Sequence, residues 1–263
     1  MRNGTIVSGT GVLSTSASGT QTIAGGTVTI GSYTLGGGGL ALAGGALNVT
    51  NVLTVSSGAT LSGGVGTLNA GTVIISNGGV LNPAGGTVTI GTTNIQAGGT
   101  LKGVGTVAGN VNNDGIVSPG TSPGILNIAG NFAQGPAGLL NIELGGLTPG
   151  TGFDQLAVTG NASLNGTLGL LQAPLSGFVP VPGSSYRFLT VGGSVTGAFS
   201  GISIPAAFAG MAISYQSQFT EAFVPVPSLS YSLIAASQPI VIYEERATFT
   251  EEEKKNIFEQ LCK

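Results

Sequence analysis

Residues 24–31 read AGGTVTIG, and residues 84–91 read AGGTVTIG again, identical over eight positions at an offset of 60. Weaker copies lie between and after them: GGGLAL at 37–42, GGALNV at 44–49, SGATLS at 57–62, AGTVII at 70–75, GGVLNP at 78–83 and GGTLKG at 98–103. Each copy is a small turn piece followed by a short strand piece. Within the strand pieces, Val28 and Ile30 share one face, with Thr27 and Thr29 on the other. Leu47 and Val49 flank Asn48, Leu53 and Val55 flank Thr54, and Leu126 and Ile128 flank Asn127. Leu140, Ile142 and Leu144 alternate with Asn141 and Glu143. A period of two carried by aliphatic side chains marks half-buried strands.

Many of these pieces span only three or four residues, too short for an ordinary sandwich. A turn about every seven residues suits a solenoid whose rung holds three strands and three turns in roughly 20 residues, so the offset of 60 equals three rungs. One rung buries too little apolar surface to offset the entropy of ordering it. Stacked rungs share backbone ladders and cover each other's apolar layer. Residues 3–101 contain no Asp, Glu, Lys or Arg. That suits a parallel stack, where like charges on successive rungs would lie about 4.8 Å apart. The fold class expected is all-β: a parallel β-helix (solenoid) with a C-terminal β cap and a short terminal helix.

Composition narrows function. Glycine accounts for 48 of 263 residues, far above an ordinary share of roughly 7%, and charged residues for 6%, far below roughly 25%. Hydrophobic residues stay at 41%, unlike disorder, which pairs low hydrophobicity with high charge. Arg2 and Lys102 are the only basic residues before Arg187, so the basic stripe of a nucleic-acid groove is missing. Histidine is absent and Cys262 is the single cysteine, which removes imidazole chemistry, an internal disulfide and a cysteine zinc site. Met1-Arg2-Asn3-Gly4 leads straight into repeat-like sequence, so the chain reads as a piece of a longer protein.

Three divisions follow from composition: Gly-rich repeats over 1–147, a β cap over 148–227, and a linker with a charged helical tail over 228–263. Twelve of the fifteen Phe and Tyr residues lie after Leu170, and large side chains suit closure of a stack end. Ten of the seventeen charged residues fall between Glu244 and Lys263. Thr250-Glu251-Glu252-Glu253 is a capping-box pattern, and Ile257, Phe258 and Leu261 form one stripe, so a short helix is expected over 251–261.

Motifs that carry chemistry elsewhere have plainer readings here. Gly120-Thr121-Ser122-Pro123-Gly124 matches G-x-S-x-G, but the elbow needs a strand-to-helix turn and a histidine, and SPGTSPG is a double Pro-Gly turn. Asp114 sits in the turn signature Asn-Asn-Asp-Gly. Asp154 with Glu143 is the one carboxylate pair to test for catalysis or calcium. Thr27/Thr29 and Thr87/Thr89 give a Thr-x-Thr spacing suited to ordering water, in two clear copies only. Asn3, Asn48, Asn161 and Asn165 head N-x-[ST] triplets, which chance explains in a chain so rich in Thr and Ser. No catalytic, cofactor-binding or metal-ligating residue is therefore expected, and the protein is expected not to be an enzyme.

Residues 98–132 (GGTLKGVGTVAGNVNNDGIVSPGTSPGILNIAGNF), 139–146 (LLNIELGG), 150–170 (GTGFDQLAVTGNASLNGTLGL) and 186–199 (YRFLTVGGSVTGAF) resemble the autotransporter-associated β-strand repeat family and its passenger region. The resemblance runs over residues 98–200, about two-fifths of the chain; 24–97 match it more loosely. It implies a right-handed β-helix, a secreted bacterial passenger at the outer membrane or cell surface, an adhesive or structural role, and folding coupled to export. The partners it implies are a host or matrix surface, polysaccharide, or further copies of the chain. The family's translocator barrel needs many strands of about ten residues, and only 63 residues follow Ser200, so no complete barrel is encoded here. Phe223-Val224-Pro225-Val226-Pro227-Ser228 resembles the start of a Val-Pro-Glu-Pro sorting tail, with Val226 in place of the glutamate. The alternatives by class are a β-helical polysaccharide lyase or hydrolase, and an ice- or surface-binding solenoid.

Overall fold

A computed structural model describes residues 7–223 apart from 16, 17, 57, 175, 176, 181, 217 and 218, and side chains from residue 14 onward. Over this span the chain is an all-β parallel solenoid. The helix expected over 251–261 and the Val-Pro segment from Val224 lie outside the described residues.

Two sheets wind around one lumen. The long sheet stacks Val7–Thr15, Thr27–Leu35, Ala46–Val55, Thr67–Ile75, Thr87–Ile95 and Gly105–Asn113, then Ile125–Ile128, Gln155–Val158 and Ser185–Val191. The second sheet stacks Thr20–Ile23, Gly39–Leu42, Thr60–Ser62, Val80–Asn82, Thr100–Gly103, Ile116–Pro119, Leu139–Leu144, Thr167–Gln172 and Gly201–Ser203. All these neighbours pair parallel, so eight steps of about 4.8 Å give a stack roughly 40 Å tall.

Alternation within each strand places the same inward position above itself at every rung. One inward row runs Val28, Leu47, Leu68, Val88, Val107, Ile128, Val158, Val191. The two copies of AGGTVTIG stand three rungs apart in it, as the offset of 60 requires. A row in the second sheet runs Leu40, Leu61, Leu81, Leu101, Val117, Leu140, Leu168, Ile202. Apart from Ile202, which is exposed at the end of its row, these residues belong to one continuous hydrophobic cluster along the lumen.

The rungs differ from three separate short strands. In the early rungs two strand pieces fuse into one bent strand of nine or ten residues. The bend falls on Gly31, Gly71 and Gly91; between Thr67–Ile75 and Thr87–Ile95 the register runs through the corner without a shift, whereas it shifts on both sides of Gly31. A Cβ at Gly91 would stand 2.6 Å from the Gly71 carbonyl oxygen, so only glycine stacks there. In Ala46–Val55, Thr50 and Asn51 replace the corner glycine. That strand carries one more residue, and its register slips against both neighbours.

The corner changes at Gly105–Asn113. Gly109, at φ +145°, stands opposite two residues, Ile90 and Gly91. From there each corner takes three residues: Ala108-Gly109-Asn110, Ala129-Gly130-Asn131, Thr159-Gly160-Asn161 and Gly192-Gly193-Ser194. The last three corners split the long strand into two pieces.

Parallel stacking continues well past residue 147, through Gly201–Ser203. The segment 148–227, read from composition as a cap, therefore contributes rungs first and closure second. Closure comes from Phe219–Phe223, antiparallel to Ser185–Val191, and Ala212–Tyr215, antiparallel to Phe219–Phe223. Aromatic rings fill this end. Tyr186 meets Phe153 and Phe178 edge-on at 5.6 and 6.1 Å, and Phe199 meets Phe188 and Tyr215. Arg187 lies 3.8 Å over the Phe219 ring.

Candidate functional site

The outward face of the first half of the long strands is polar and uncharged. Thr29, Asn48, Asn69 and Thr89 stand in register on four successive rungs. Asn69 Nδ2 donates to Asn48 Oδ1 at 2.8 Å, and Asn48 Nδ2 donates to Thr29 Oγ1 at 3.4 Å. The ladder follows from strand parity: Val28, Leu47, Leu68 and Val88 must point inward, so their neighbours point out. Thr50, Ala70 and Gly71 edge a shallow depression of about 260 Å³ beside Asn48, Asn69 and Thr89. Such a surface offers amide and hydroxyl donors and acceptors at a fixed spacing, without a charge to desolvate.

A second polar line climbs the later corners. Asn131 N–H donates to Asn110 Oδ1 at 2.9 Å, Asn161 N–H to Asn131 Oδ1 at 2.8 Å, and Ser194 N–H to Asn161 Oδ1 at 3.0 Å. Each asparagine thus caps the corner above its own. The repeated Gly-Asn in VAGN, IAGN and VTGN was the available sequence signal. A third line is internal. The inward row Leu35, Val55, Ile75, Ile95 continues as Asn113 and Gln134, both buried. Gln134 Nε2 donates to the carbonyls of Gly138, Asn165 and Thr167, and Asn113 Nδ2 donates to Gln134 Oε1 and to the Leu139 carbonyl.

Asp154 and Glu143 are brought together, and the arrangement is a staple. Asp154 is fully buried. Its Oδ1 accepts from Gly124 N–H at 2.8 Å and its Oδ2 from Glu143 N–H at 2.9 Å. Its own N–H donates to the Glu143 carbonyl at 2.9 Å. Burial pushes the carboxyl up to about 7, against the two amide bonds that favour the charged form; the Glu143 charge adds to the rise. Glu143 is half-buried, and its Oε2 has no hydrogen-bond partner among the described residues. Among the described residues no three His, Cys, Asp or Glu side chains cluster as a cation site would need.

Ser122 is exposed in a bend between Ile116–Pro119 and Ile125–Ile128, with φ +86° and a cis bond to Pro123. The segment is strand–turn–strand, the context read for a turn rather than a nucleophile elbow. Asp114 likewise lies in a bend, where Gly115 N–H donates to Asn113 Oδ1. Thr27, Thr29, Thr87 and Thr89 share the outer face, but Ala46, Asn48 and Asn69 interrupt them on the rungs between.

No family model matches this chain, and no curated protein matches it.

Proposed function

We propose that the protein is a non-enzymatic β-solenoid stalk of a secreted or cell-surface bacterial protein, structural or adhesive, with contact spread along its ladder faces. The observation that carries this reading is the uncharged ladder of Thr29, Asn48, Asn69 and Thr89 on a rigid parallel stack. Repeated amides and hydroxyls at one-rung spacing match a repeating polar partner such as a polysaccharide. A cysteine-free body fits export as an unfolded chain, since no disulfide forms on the way. Rungs that add one after another outside the membrane would oppose backsliding.

The carboxylate pair supports a structural reading over a glycosidase or lyase. Both oxygens of Asp154 are occupied by backbone amides, and the side chain is buried. Retention on immobilised pectin and β-glucan tests the proposal. The expected result is retention on at least one polymer, lost when Asn48, Asn69 and Thr89 are all replaced by Ala. Retention indifferent to that variant would remove the ladder from the account. Polymer cleavage that disappears in Asp154→Ala would replace the stalk with an enzyme.

A further inference from the structure

We infer that the N-terminal end of the lumen is a binding site for a small neutral amphiphile, a single ring or short alkyl chain bearing one hydrogen-bonding group. The inference does not depend on the ladder reading above. Along the second sheet, leucine fills the inward position at Leu40, Leu61, Leu81 and Leu101. On the preceding rung the residue in register with Leu40 is Gln21. In the long sheet, Gly9 stands in register with Ile30 and Thr15 with Leu35. Three positions that carry aliphatic side chains one rung later therefore carry a carboxamide, no side chain and a hydroxyl.

The space left is a cavity of about 250 Å³. Among the described residues its apolar lining is Ile23, Val28, Ile30, Leu40 and Leu47, all buried lumen residues. Its polar lining includes Gln21 and the pair Thr15 Oγ1 and Tyr33 OH, 2.8 Å apart. Burial raises the Tyr33 phenol, so it stays neutral and keeps its proton. Among the described residues no charged side chain lines the space. The volume exceeds the roughly 150 Å³ apolar cavity that takes up benzene and lies just under the roughly 300 Å³ where drug-sized pockets begin. An apolar body against the five aliphatics, with one polar group at Gln21 and the hydroxyl pair, matches this lining. An empty apolar cavity destabilises a fold, and the repeat fills this one wherever leucine holds the position.

Titration of the intact chain with p-cresol, followed by methyl NMR, tests the site. Saturable shifts are expected at the methyls of Ile23, Ile30, Leu40 and Leu47, with a Kd of about 1 mM or tighter. Leu81 and Leu140, deeper in the same lumen, should not move. Gln21→Leu completes the leucine row, and it should weaken p-cresol binding at least tenfold while the melting temperature holds or rises. Leu40→Phe, which fills the cavity from another wall, should weaken binding likewise and serves if the first variant does not fold. Absence of saturable shifts in the wild type, shifts of equal size at Leu140, or undiminished binding in a folded cavity-filling variant would overturn the inference.

Discussion

Thr93 occupies an inward position in line with Leu53, Val73 and Val111, and it is fully buried. Its Oγ1 has no hydrogen-bond partner among the described residues. Removing an unpaired buried hydroxyl while keeping the shape stabilises, so Thr93→Val should gain about 1 kcal/mol in chemical denaturation. Asp154 sets a pH dependence. Its carboxyl binds a proton more tightly folded, near 7, than unfolded, near 3.8. The stability this contributes is fully present below pH about 4 and is lost as pH rises through 7. The loss should be on the order of 4 kcal/mol between pH 4 and 8. Asp154→Asn should flatten that slope and lower stability at acid pH, because an amide nitrogen would replace an oxygen accepting from Gly124 or Glu143. Denaturation midpoints across pH 4–8 check both. The pair itself was legible in the sequence, but its role as a staple was not. That role depends on a contact between residues 124, 143 and 154 that no local spacing encodes.

At the scale of the element, the corner decides which rungs stack. Gly109 has a positive φ, and a Cβ there would overlap the Ile90 carbonyl. Gly109→Ala should cost on the order of 3 kcal/mol, read as a lowered unfolding midpoint. Strand parity was readable from the residues: every alternation from Val28/Ile30 to Leu140/Ile142/Leu144 points inward as its period demands. The fused, bent strands were not, because glycine reads as a break although here it carries the ladder around a corner. Asn113 and Gln134 escaped for a related reason. Polar residues at core parity look like strand ends until their partners on the neighbouring rungs are known. Gln134→Leu should cost about 2 kcal/mol, since it removes a buried acceptor of the Asn113 amide, which keeps only the Leu139 carbonyl, and the side-chain donor to the Asn165 and Thr167 carbonyls. Adding Asn113→Leu should recover part of that loss by restoring the aliphatic row, so the two changes should not add.

For the whole molecule, the offset of 60 between the two AGGTVTIG copies foretold three rungs, and Val28 and Val88 stand three steps apart. The aromatic shift after Leu170 foretold large rings near the C-terminal closure. It did not foretell that parallel rungs continue to Ser203, because the longer connections of the last rungs hide the repeat from the eye. The central claim is one parallel stack with one lumen. Spin labels at Thr27, Thr87 and Asn127, each one residue before its inward-facing neighbour Val28, Val88 or Ile128, test it directly once Cys262 is replaced by Ser. Pulsed and continuous-wave electron paramagnetic resonance should give about 14 Å from 27 to 87 and about 24 Å from 27 to 127, three and five steps of about 4.8 Å. Distances that fail to grow in proportion to rung number would contradict the stack.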